Sequence, residues 1–184
     1  MKKKDLFFFE NNGYVIVRNF ISKNQIKILR NEVELIAKKY DVKNIFGLKD
    51  KFFWKKYVEL LNQIRIELNY KNKEFKKFYR FKKFIKITKL IKKKQTKKFP
   101  IDKVRFNIPV NKKSAHPWHQ DEITWPKRIN QNPITFWVPL VNINKNNGIE
   151  FAVGNSRLSS LMSHIMGKDP KTTLKYATIK NKNL

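Results

Sequence analysis

Behind Ser22 the apolar residues Ile26, Leu29, Val33, Ile36 and Tyr40 recur in steps of three and four. That spacing predicts an amphipathic helix over about 22–40. Ser22, with Gln25 three residues on, supplies a capping box at its start. Phe53, Tyr57, Leu61, Ile64 and Leu68 repeat the pattern and predict a second helix over about 50–69. From Lys71 to Lys98 the rhythm changes. Phe75, Phe78, Phe81, Phe84, Ile87 and Leu90 fall on every third position, with lysines between them. This predicts a basic amphipathic helix or a pair of shorter ones, packed through the apolar side with a solvated lysine face. Ahead of all three, Glu10-Asn11-Asn12-Gly13 is a turn signal, and Tyr14-Val15-Ile16-Val17 reads as a short strand.

Phe99-Pro100 breaks the helical run. Val104 to Ile108 then alternates like a half-buried strand, Ile134 to Leu140 reads as a second, Gly148 to Gly154 as a third and Leu174 to Ile179 as a fourth. Helices followed by strands define an α+β arrangement with an antiparallel sheet. The length of 184 residues suits a single domain over 1–184, with an N-terminal strand and helices to residue 98 and the sheet from residue 99. There is no internal repeat.

Charge adds one regional feature. The chain carries 42 Lys+Arg against 14 Asp+Glu, a formal +28. Of the basic residues 35 are Lys and only 7 are Arg, and Asn reaches 20, as A/T-rich codons would produce without selection for an anionic partner. The excess is nevertheless clustered. Residues 71–98 hold 14 basic residues against Glu74 alone. A surface there for an anionic substrate, carrier or membrane headgroup is the sharper reading of the segment. Nucleic acid is disfavoured, because arginine is scarce and no recognition motif is present. Absence of cysteine excludes disulfide frameworks, Cys-ligated zinc and thiol nucleophiles. Met1-Lys2-Lys3-Lys4 resembles a signal n-region, but Glu10 ends the apolar run behind it too soon, so a cytoplasmic protein is expected.

The chemistry-bearing stretch is His116-Pro117-Trp118-His119-Gln120-Asp121-Glu122. On an extended chain, residues i and i+2 face the same side, so His119 and Asp121 can reach one metal ion together. They would form two-thirds of a 2-His-1-carboxylate set for non-haem Fe(II). A plain hydrogen-bonded His–Asp pair is the simpler alternative. His116, beside Pro117 and Trp118, reads as a packing position.

His119-Gln120-Asp121-Glu122, Trp125, Ile134 to Leu140, Asn147-Gly148 and Gly154-Asn155-Ser156-Arg157 together resemble the phytanoyl-CoA dioxygenase family. So does the run Phe9 to Ser22 with Gln25-Ile26 behind it. The resemblance covers residues 8–40 and 103–157. It implies N-terminal helices followed by a double-stranded β-helix, or jelly roll. It also implies a hydroxylase using Fe(II), with 2-oxoglutarate and O2 as cosubstrates, on a small-molecule, acyl-carrier or lipid- or sugar-linked substrate. His119 and Asp121 would be iron ligands, Trp137 a wall of the 2-oxoglutarate pocket, and Arg105 and Asn107 further cosubstrate contacts. For Trp137 core packing is the equal alternative, and for Arg105 and Asn107 the solvent face. Retention of the Asp121 carboxylate favours hydroxylation over halogenation, for which related enzymes carry a small residue there.

The family's second iron-binding His and its 2-oxoglutarate-binding Arg lie further along the chain. After Asp121 this sequence has only His164, and no Arg beyond Arg157. Leu161 to Gly167 reads as a short helix or turn between strands, so His164 is not assigned as the third ligand. The expectation is an incomplete β-helix that stops before the distal His and Arg. The alternative is a non-catalytic, degenerate β-helix that binds an anionic partner through 71–98.

Overall fold

Two of the helices begin where a polar side chain accepts from a free backbone amide. The computed structural model describes residues 1–47, 54–92, 104–106, 118–121, 134–144, 148–152, 164–168 and 175–179. In chain order these contain α1 (Lys3–Asn12), α2 (Lys23–Lys39), a 3-10 turn (Ile45–Gly47), α3 (Trp54–Tyr70), α4 (Lys73–Tyr79), α5 (Lys82–Lys92), β1 (His164–Lys168) and β2 (Lys175–Ile179). Two compact units emerge. One comprises Met1, Val17–Pro109 and Phe136–Gly148; the other comprises Lys2–Ile16, Val110–Thr135 and Ile149–Leu184.

In the first unit the expected capping box forms. Ser22 Oγ accepts from the Gln25 amide at 3.2 Å, and the Ser22 amide donates to Gln25 Oε1 at 3.1 Å. Two of the orphan donors at the start of α2 are thereby satisfied. Leu29, Val33, Ile36 and Ala37 form the buried stripe of α2. They meet Leu61, Ile64 and Leu68 of α3, Phe75 of α4, and Val42 and Ile45 in one core. Asn72 Oδ1 caps α4 by accepting from the Phe75 amide at 3.0 Å.

The every-third-residue pattern resolves into the pair α4 and α5. One helix could not bury it, because a step of three falls about 60° short of a full turn each time. Arg80 and Phe81 interrupt the helix and reset the phase. Phe84 and Ile87 are then buried, while Leu90, drifting onward, is 43% exposed. Phe84 is an aromatic hub, with ring centroids 5.3 Å from Phe20, 5.3 Å from Phe78, 5.9 Å from Phe81 and 4.9 Å from Phe136.

Two segments expected as strands lie along this helical core without forming a ladder among the described residues. Val104, Phe106 and Leu140 pack against it. Asn69 Oδ1 accepts from the Val104 amide at 3.1 Å and from the Tyr79 hydroxyl at 2.8 Å. The Arg30 guanidinium donates to the Leu140 carbonyl at 2.7 Å and lies 3.9 Å from the centroid of the Phe46 ring.

In the second unit, α1 is a helix where the sequence suggested only a failed signal segment. The Lys2 amide donates to Asp5 Oδ2 at 2.7 Å. Gly13, at φ 78°, closes the other end in the left-handed conformation that glycine adopts without penalty. Tyr14–Val17, expected as a strand, forms no ladder among the described residues. Instead the Tyr14 ring stacks on Phe151, centroids 5.0 Å apart, and meets the Phe8 ring edge-on at 5.4 Å. β1 and β2 pair antiparallel, with His164 opposite Ile179 and Lys168 opposite Lys175. The strand expected near Leu174–Ile179 is thus β2. The stretch around His164, expected as a helix or turn, is instead strand β1. Its backbone groups are satisfied by β2, which begins seven residues further along the chain. Among the described residues no helix is long and apolar enough to cross a membrane.

Candidate metal centre

His119 and Asp121 lie in the second unit, on the described stretch 118–121. His119 Nε2 stands 3.2 Å from Asp121 Oδ1. The imidazole side chain is 21% exposed and the carboxylate 44% exposed. Neutral imidazole and carboxylate are the donor types that suit non-haem iron. Two ligand atoms at right angles on a metal, each about 2.1 Å from it, lie about 3 Å apart. The observed separation matches that edge, so the pair fits two corners of an octahedral site. The same separation holds the two as a hydrogen-bonded pair in the absence of metal, with Nε2 donating in one tautomer. Among the described residues no third His, Cys, Asp or Glu joins them.

Two of the other sequence-predicted residues, Arg105 and Trp137, lie within the first, helical unit. Arg105 is exposed between Val104 and Phe106, and Trp137 is 42% exposed beside Phe136, whose ring packs on Phe84. Alternation along each segment turns both side chains away from the helical core. Asn107 and His116 lie outside the described residues. His164 opens β1, a position the sequence did not suggest.

One other ionisable cluster holds helices together. Lys39 Nζ donates to both Glu67 carboxylate oxygens, at 2.9 and 3.0 Å, and the Tyr40 hydroxyl donates to Glu67 Oε2 at 2.9 Å. These hydrogen bonds, first that from Lys39 and then that from Tyr40, hold the Glu67 carboxyl below the ordinary glutamate range. The same carboxylate raises Lys39 and Tyr40 above their ordinary values, chiefly through those hydrogen bonds. Glu67 lines a groove of about 410 Å3 together with Glu32, Ile36, Lys71, Asn72, Lys73 and Glu74. Glu32 is bonded by Asn72, the cap of α4, whereas Glu74 pairs with Lys77 within α4 itself.

The sequence profile of the phytanoyl-CoA dioxygenase (PhyH) family matches residues 9–177, and the chain belongs to that family. No curated protein and no solved structure matches.

Proposed function

We propose that this chain contributes His119 and Asp121 as two ligands of an Fe(II) centre in a 2-oxoglutarate-dependent hydroxylase. The substrate is taken to be a small molecule or an acyl-, lipid- or sugar-linked carrier. The single observation that carries this reading is the 3.2 Å separation of His119 Nε2 and Asp121 Oδ1 in a member of the phytanoyl-CoA dioxygenase family. When bound, the metal with 2-oxoglutarate and O2 would supply the oxidising chemistry that inserts oxygen into a C–H bond.

The chain's own residues do the holding. The His119 ring must present Nε2 without its proton, so loading the site moves that proton to Nδ1 or to solvent. The negative Asp121 carboxylate offsets part of the ion's charge and fixes the second corner. Placed in the same family role, Trp137 and Arg105 would line the cosubstrate pocket. A β-helix built from the segments after residue 99 would enclose the site.

Titration with Co(II), a spectroscopic stand-in for Fe(II), tests the ligand assignment. One ion is expected to bind, with affinity falling more than about 100-fold in His119→Ala and in Asp121→Ala. That exceeds the 10–100-fold cost typical of losing a partner outside the ligand shell. Anaerobic Fe(II) plus 2-oxoglutarate should give a weak visible charge-transfer band that both variants lose. Binding unchanged by either substitution would sink the assignment.

A further inference from the structure

Three of the five lysines of α5 converge on one side of the helix. Lys82, Lys86 and Lys89 follow the i, i+4, i+7 spacing of a single stripe, and Lys83 flanks it. All four are exposed. Phe84 and Ile87 are buried on another side. Between Lys71 and Lys92 there are ten basic residues, and Glu74 is the lone acid. That acid pairs with Lys77 on α4. Among the described residues no carboxylate pairs with Lys82, Lys86 or Lys89. Crowding like charges in this way opposes helix formation, so the stripe calls for a partner that supplies negative charge.

The apolar drift described above gives the partner's character. A step of three from Phe84 to Ile87 to Leu90 turns Leu90 out of the core and into the lysine stripe, one turn beyond Lys86. There it is 43% exposed. An aliphatic side chain ringed by ammonium groups suits an interface with anionic heads above and hydrocarbon below. Nucleic acid is a poorer fit. The charges are point-like lysines, with Arg80 the lone fork-shaped donor. The aromatic rings of the segment are turned inward, Phe75 and Phe84 buried and Phe78 and Phe81 half-buried, so no stacking platform is presented.

We propose that the Lys82–Lys86–Lys89 stripe of α5, with Leu90 at its end, docks this chain on an anionic phospholipid surface. Attachment is peripheral and reversible, since one aliphatic side chain and a few lysines give weak affinity on their own.

Co-sedimentation of the full chain with vesicles tests this. Vesicles of phosphatidylcholine containing ~30% phosphatidylserine should bind it at ~0.05 M salt and release it at ~0.5 M, while pure phosphatidylcholine should not bind it. The triple variant Lys82→Gln, Lys86→Gln, Lys89→Gln should lose on the order of 100-fold in partition. Leu90→Ser should lose severalfold. Lys23→Gln, Lys27→Gln, Lys38→Gln removes equal charge from exposed positions of α2 and should cost less than about tenfold. Helix content measured by circular dichroism is expected to stay unchanged in all three, so a loss of binding cannot come from unfolding. Equal losses in the α2 and α5 triples would overturn the proposal, because the attraction would then belong to net charge alone. So would failure of the wild type to bind the phosphatidylserine vesicles. Displacement from them by a stoichiometric oligonucleotide would overturn it in favour of nucleic acid.

Discussion

Replacing Phe84 by alanine removes the side chain on which α5 depends. Phe84 is 7% exposed and touches the rings of Phe20, Phe78, Phe81 and Phe136. A buried phenylalanine withdraws roughly 150–200 Å2 from water, worth about 4 kcal/mol at about 25 cal/mol per Å2. Partial collapse of the cavity and residual burial in the unfolded chain leave an expected loss of about 3–5 kcal/mol. Phe84→Leu keeps most of that area and loses the ring–ring geometry, so it should cost about 1–1.5 kcal/mol. Leu90→Ala, on the exposed side of the same helix, should stay within about 0.5 kcal/mol of the parent. Urea unfolding followed by far-ultraviolet circular dichroism reads all three. If Phe84→Ala cost less than about 1 kcal/mol, or Leu90→Ala as much as Phe84→Ala, α5 would be packed through its other side. The account of its lysine stripe would fall with that result.

Glu67 provides a pH signature. Its carboxyl is held below the ordinary glutamate range, so the stability it contributes is fully present above about pH 4.3 and is lost as pH falls through its depressed folded value. Glu67→Gln should flatten that acid limb of the urea midpoint against pH, while a parallel limb in both proteins would refute the role. At the start of α2, Ser22→Ala should cost about 1 kcal/mol by removing the acceptor for the Gln25 amide. Ser22→Asp should restore most of this, and hydrogen exchange at the first turn of α2 is the direct readout.

Local chemistry made the helical half legible. Ser22 and Gln25 announced the start of α2, and the three-and-four spacing of Leu29, Val33 and Ile36 announced its buried side. The every-third spacing left one helix or two open, and the break at Arg80–Phe81 came from the structure. Where the deciding partner is distant in sequence, local reading failed. Tyr14–Val17 has strand-forming composition, yet its order comes from Phe151, far along the chain. β1 was missed although its partner β2 is near in sequence, because Gly167 within it reads as a turn residue. α1 was missed for a different reason. Leu6 to Phe9 form an unbroken apolar run with no helical period, and the informative residues were Asp5 and Gly13 at its ends. At the candidate centre, the spacing of His119 and Asp121 was enough to place them together. The faces of Arg105 and Trp137 were not readable, since alternation names two sides without saying which one meets the helices.

The bond from Arg30 to the Leu140 carbonyl spans 110 residues of chain. On a ribosome, α2 to α5 leave the exit well before residues 136–140 do. Phe84 waits for Phe136 through about fifty further additions, roughly 3–10 s at ordinary elongation rates of about 5–20 residues per second. During that interval Phe84 has only the rings of Phe20, Phe78 and Phe81 to pack on, so the helical unit must hold its aromatic cluster together without its last member.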